Sequence, residues 1–217
     1  MSAEARLREE ICAFGRSIFA RGLTGGASGN ISARLPDGGL LVTPTGVSMG
    51  RLDPARLTCL DAAGRLIGGD APTKEMALHA AFYETRGDRA GAVVHLHSTH
   101  SVALSMMPDA DPDSLLPPLT AYSVMRLGRV KLLPYFRPGD PGMGEAVRSL
   151  AGRRSAVVLA NHGPVVAGRD LEAAVHAIEE LEETAKLALL TRGTGAIGLS
   201  DAQVRDLVQQ FGVEWDA

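Results

Sequence analysis

The chain has 217 residues, 45% of them hydrophobic and 22% charged, which suits one domain over 1–217 with a sizeable core and no obvious linker. A formal net charge of -3, with the 22 lysines and arginines scattered along the chain, argues against nucleic acid or an anionic membrane as partner and leaves small anionic substrates open. Cys12 and Cys59 form no CxxC pair, so neither a disulfide framework nor a thiolate metal site is expected, and any metal takes nitrogen and oxygen ligands. The start, MSAEARLREEICAFGRSIFARG, carries charges every few residues and lacks the apolar run of a signal peptide, which predicts a cytoplasmic protein.

Along the chain, Ile11, Phe14, Ile18 and Phe19 recur at helical spacing and predict an amphipathic helix over 4–21, closed at Gly22. The Gly- and Ser-rich LTGGASGNISARL runs into an alternating stretch, and GGLLVTPTGVSMGRL predicts a second strand ending at a Pro-Gly turn. A helix over 73–86 opens at Thr73, placed to cap it after Pro72. AVVHLH is a buried strand, THSVALSMM starts a helix, and PDADPDSLLPP is loop. LTAYSVMRLG is a short helix, KLLPY a strand, and the RPGDPG turn leads into the helix MGEAVRSLA. AVVLANHGPVVAG is a hairpin around His162 and Gly163, residues 170–192 form a long helix, and Ser200 caps a last one. Strands and helices alternate irregularly, which favours an α/β or α+β layer architecture over a regular βαβ ladder.

The chemistry concentrates on histidines. In a strand, side chains two apart share a face, so His95 and His97 aim two imidazoles at one point while Leu96 faces away. A lone strand histidine is usually a satisfied core residue, but two on one face of an aliphatic strand need partners, and a metal satisfies both. With His162 from the second apolar stretch, three neutral imidazoles leave room for a substrate oxygen, as in catalytic zinc sites. His100 is expected as a helix cap or a support behind the ligands, His79 as a helix-face residue, and His176 as exposed on its charged helix.

Glu75 falls in the first turn of its helix, where the dipole favours a carboxylate whatever its role; the functional alternative is a general acid/base or a displaceable fourth ligand. Ser28-Gly29-Asn30, Thr43 to Gly46, and Thr73-Lys74 are hydroxyl, amide and glycine clusters at loop or helix-start positions that suit a phosphate, although each alone is also an ordinary tight turn. No Gly-rich nucleotide motif follows a strand.

In order, GNIS, VTPTG, APTKE, VVHLHSTHSVALS and ANHGPVVAG resemble the class II aldolase family, which also includes the adducin head, over roughly residues 5–195. The resemblance implies a three-layer α/β/α fold with a central, mainly antiparallel sheet, assembled as a homotetramer with the site at a subunit interface. It implies that His95, His97 and His162 ligate Zn2+ or another divalent metal, that Glu75 is catalytic and can join the ligand set, and that Gly29-Asn30, Thr45-Gly46 and Thr73-Lys74 hold the substrate phosphate. It also places Tyr122 as a second acid near a neighbouring site, against its plainer reading as a half-buried core tyrosine.

One departure is informative. Sugar-phosphate aldolases of this family tend to carry Ser-Ser before the glutamate, where this chain has Thr73-Lys74, and a lysine suits a substrate with a second anionic group. APTKE, HLHSTHSVALS and YFRPGDP are similar to the branch that decarboxylates 3-oxo-tetronate 4-phosphate, a phosphorylated sugar acid with such a carboxylate. The rivals are an aldolase acting on a ketose 1-phosphate, an epimerase, whose branch has aspartate at Glu75, and an adducin-like interaction module with no reason to keep the histidines and the carboxylate together. A cupin dioxygenase would need a glutamate shortly after the HxH pair, and STHSVALSMM has none.

Overall fold

The central strands of this chain are buried on both faces, and their alternation decides which side chains meet. A computed structural model describes residues 2–215. Its strands are β1 (Asn30–Arg34), β2 (Leu40–Val42), β3 (Thr58–Leu60), β4 (Leu66–Gly68), β5 (Ala92–His95), β6 (Lys131–Leu133), β7 (Ala156–Leu159) and β8 (Gly163–Gly168). They form one sheet in the order β4-β3-β2-β1-β5-β8-β7-β6, antiparallel throughout except for the parallel pair β6 and β7.

On one face Ile31, Ala33, Ala92, Val94, Val158 and Val166 pack with α1 (Ala3–Ala20), α3 (Thr99–Ser105), α4 (Ala121–Leu127) and α6 (Leu171–Thr191). On the other, Val93, Val157, Val165 and Ala167 pack with α2 (Met76–Arg86) and α5 (Gly142–Ser149). The result is the expected three-layer α/β/α arrangement around a mixed, mostly antiparallel sheet. The last helix, α7 (Asp201–Phe211), rests on α4, and the predicted Ser200 cap is completed by a reciprocal Gln203 bond. Among the described residues no helix is long and apolar enough to cross a membrane.

Several expectations shift. Strands β3 and β4 lie in a stretch without period-two patterning, each only three residues long; sheet pairing alone defines them. The helix expected at Thr73 begins at Met76 instead, because the Thr73 hydroxyl is engaged in a turn, accepting the Glu75 N–H at 3.3 Å. Glu75 therefore sits at the N-cap, makes no side-chain cap bond, and keeps its carboxylate free of the helix. His176 is half-buried rather than exposed, since α6 packs against both the sheet and its neighbouring helices.

The extended course of β5 continues one residue past its end, where the Leu96 N–H donates to the Pro164 carbonyl at 3.1 Å and Leu96 joins the larger core. The neighbouring strand can approach this closely only because residue 163 is glycine: a Cβ there would lie 2.1 Å from the Leu96 carbonyl oxygen. Gly163→Ala is expected to push β8 away from β5, costing about 2 kcal/mol or roughly 4–8 °C in Tm for a chain of this size. Calorimetry checks it, and an unchanged Tm would show that the contact yields.

Candidate metal centre

The α2/α5 side of the sheet carries polar residues at one end. By the alternation that sends Val94 and Leu96 to the larger core, His95 and His97 project to this side, with His95 fully buried. The His95 Nδ1–H donates to the Pro164 carbonyl at 2.9 Å, which leaves the Nε2 lone pair pointing inward. His97 follows two residues later, its Nε2 lying 3.1 Å from that of His95.

The third imidazole comes from the turn between β7 and β8. Asn161 takes the left-handed conformation (φ 56°) and the His162 N–H closes the turn on the Leu159 carbonyl at 3.1 Å. The His162 ring stands edge-on to both others, with centroids 5.0 Å from His95 and 4.7 Å from His97. Glu75 completes the group from the start of α2, Oε2 lying 3.4 Å from His95 Nε2 and Oε1 3.3 Å from His162 Nε2.

The ligand atoms of Glu75, His95, His97 and His162 all lie within 4.8 Å of one another. Burial pushes the His95 imidazole down to about 3 despite the opposing Glu75 charge, and burial likewise lowers His97, so both rings are neutral near pH 7. Burial alone would raise the Glu75 carboxyl, but His162, His95 and the Asn30 amide outweigh it and hold the group well below the usual carboxylate range. Both ring nitrogens of His162 are buried and lack a hydrogen-bond partner among the described residues. Buried polar atoms are nearly always satisfied, and neutral imidazoles converging on an anion are what a divalent cation requires. The donor set thus fits a metal with nitrogen and oxygen preference.

Beside this group lies a cleft of about 160 Å³ lined by Gly29, Asn30, Thr45, Gly46, Thr73 and Lys74, together with Glu75 and His97. The structure thus brings the three phosphate-suited segments to one place, all but Thr43, which is buried and accepts the Ile31 N–H at 3.0 Å. Lys74 is exposed and makes no ion pair among the described residues. The Asn30 side chain instead faces the carboxylate, its Nδ2 donating to Glu75 Oε2 at 2.7 Å. Pro138 and Gly139 also line the cleft, from the turn that precedes α5; a Cβ added at residue 139 would lie 3.6 Å from Lys74 Cβ. Two larger clefts, about 660 and 570 Å³, contain none of the clustered histidines, so size does not mark the site.

Three residues depart from expectation or extend it. His79 lies on the face of α2 turned to β1, fully buried and bonded to Asn30 and Ser32. Its i+4 spacing from Glu75 and the alternate polar residues of β1 are the signals that could have marked it. His100 stays outside the ligand group: with Ser101 it binds the buried Glu182 carboxylate, which accepts both backbone N–H groups at 2.8 and 2.9 Å and so caps α3. Tyr122 is neither core nor cleft, being 60% exposed on α4 with Arg126 5.7 Å over its ring.

Residues 9–189 match the profile of the Class II Aldolase and Adducin N-terminal domain. The chain is 45% identical to the 3-oxo-tetronate 4-phosphate decarboxylase of Cupriavidus necator over 99% of this chain and 100% of that one. It is 31% identical to the L-fuculose phosphate aldolase of Escherichia coli K12, over 88% of this chain and 86% of the other. Among solved structures, YgbL from Escherichia coli superposes with a TM-score of 0.92 at 44% identity, covering 95% of this chain and 99% of that chain.

Proposed function

The chain belongs to the class II aldolase and adducin N-terminal domain family, and from that premise we propose that it decarboxylates 3-oxo-tetronate 4-phosphate to dihydroxyacetone phosphate and carbon dioxide. The observation that carries this is the exposed Lys74 next to Glu75, in the cleft that also gathers the phosphate-suited segments. An aldol substrate needs only its phosphate bound; a sugar acid brings a carboxylate as well, and Lys74 is the cation available for it.

His95, His97 and His162 would hold the divalent cation, with Glu75 beside them as a displaceable fourth ligand and zinc the expected metal, and when bound it supplies an electron sink at the substrate ketone. The substrate carboxylate is β to that ketone, so breaking its bond to carbon leaves the electron pair as an enediolate. Glu75, ionised at neutral pH, accepts the proton of the substrate hydroxyl and returns one to the carbon that lost carbon dioxide; a solvent proton completes the hydroxyl. The backbone and hydroxyls of Gly29, Thr45, Gly46 and Thr73 hold the phosphate at the far end. Tyr122 lies outside the cleft of its own chain and enters this scheme only as an acid supplied to a neighbouring subunit of a homotetramer. The same proposal takes the whole chain as one cytoplasmic catalytic domain.

The test incubates metal-loaded protein with 3-oxo-tetronate 4-phosphate and follows carbon dioxide and dihydroxyacetone phosphate. Lys74→Ser is expected to raise KM by about 10-fold or more, the worth of one charge-assisted contact. Absence of carbon dioxide, with an aldehyde released from a ketose 1-phosphate instead, would replace the proposal with aldol cleavage, which the 31% identity to L-fuculose phosphate aldolase favours as second choice.

A further inference from the structure

A continuous chain of buried polar side chains runs from Glu75 into the space between α2 and β1, and the catalytic scheme above makes no use of it. Asn30 Nδ2 lies 2.7 Å from Glu75 Oε2, and Asn30 Oδ1 lies 2.5 Å from His79 Nε2. His79 Nδ1 lies 2.7 Å from Ser32 Oγ, which lies 2.8 Å from the Tyr83 hydroxyl. All five residues are buried, His79 and Ser32 completely.

The chemistry of the groups leaves one direction for the protons. An ionised carboxylate only accepts, so Asn30 turns its NH2 toward Glu75 and its carbonyl oxygen toward His79. That oxygen also only accepts, so His79 must carry its proton on Nε2. The neutral ring then presents the Nδ1 lone pair to Ser32, whose single hydroxyl proton is committed to it, and the Ser32 oxygen accepts from Tyr83. Reversing any one link would place two acceptors or two donors face to face in a buried site.

We infer that His79, anchored by Ser32 and Tyr83, is a positioning residue that fixes the Asn30 amide so that it donates to Glu75, holding the carboxylate oriented between His95 and His162. This explains an arrangement that packing alone does not: without His79 the amide of Asn30 could rotate by half a turn and set its oxygen against the Glu75 oxygens. The inference rests on the proposed role of Glu75 for its effect on turnover, but the tautomer it requires does not depend on any substrate.

Two measurements test it. Nitrogen-15 NMR of histidine-labelled protein, with the His79 signals identified by their loss in His79→Gln, should show a neutral ring protonated on Nε2, in the metal-free and the metal-loaded protein alike. A proton on Nδ1 would overturn the inference outright. In kinetics, His79→Leu should lower kcat by about 10- to 100-fold, the worth of an oriented bond to a charged group, with KM and bound metal unchanged. His79→Gln, whose amide can still donate to Asn30, should recover part of that loss. A folded, metal-loaded His79→Leu protein with wild-type kcat would overturn the inference, as would a glutamine variant no better than leucine. If leucine prevents folding, the tautomer and the glutamine variant still decide. An Nε2 proton in a protein that does not decarboxylate the proposed substrate would instead refute the substrate assignment and leave the oriented chain standing.

Discussion

His97→Ala is expected to lose bound metal and turnover together. The side chain is half-buried at the margin of the group, so its removal leaves the core untouched, unlike His95, which is enclosed completely. The variant should therefore fold. It would leave Glu75, His95 and His162 with one imidazole fewer, and metal affinity should fall by more than about 100-fold, since disturbing even the partners behind a ligand costs about 10- to 100-fold. Metal stoichiometry by mass spectrometry, together with the rise in Tm on adding metal, gives the measurement. The wild type should gain Tm with added zinc by mass action and the variant should not. A variant that still carries one equivalent of metal and turns over normally would remove His97 from the centre.

Glu75→Gln separates holding the metal from moving the proton. Glutamine keeps the shape and can still accept from Asn30 Nδ2, while His95, His97 and His162 remain in place. Metal content should stay near the wild-type value. The amide cannot take and return a proton, so kcat should fall by about 10²- to 10⁴-fold, the usual contribution of one general acid/base. Turnover within a few-fold of wild type would exclude Glu75 as the proton carrier. Loss of metal in this variant would show instead that the carboxylate is the ligand holding the ion.

The pair His95 and His97 was legible because strand geometry repeats every two residues: any strand through AVVHLH puts them on one side. His162 was legible as a histidine inside an apolar hairpin. The position of Glu75 was not, because local propensity starts the helix at Thr73, whereas the turn in which Thr73 accepts the Glu75 N–H delays it to Met76. That delay places Glu75 at the N-cap and lets its carboxylate reach the histidines. The support through Asn30, Ser32 and His79 was illegible for another reason. It joins β1 to α2 across 45 to 49 residues of sequence, and no spacing rule spans such a gap. Tyr122 looked like a core residue by composition, but α4 turns it outward.

By itself, then, the amino-acid sequence determined the layer architecture, the nitrogen and oxygen character of any metal ligands, and the family to which the motifs belong. These follow from local periodicity, side-chain chemistry and motif order, which need no long-range information. Only the tertiary structure decided that Glu75, His95, His97 and His162 meet and that the Asn30 amide faces the Glu75 carboxylate. Convergence depends on β5 pairing with β8, on Gly163 permitting their approach at Leu96, and on helix α2 crossing β1 so that His79 meets Asn30. Those contacts join residues distant in the chain, and their geometry is set by packing across the sheet, which no local pattern encodes.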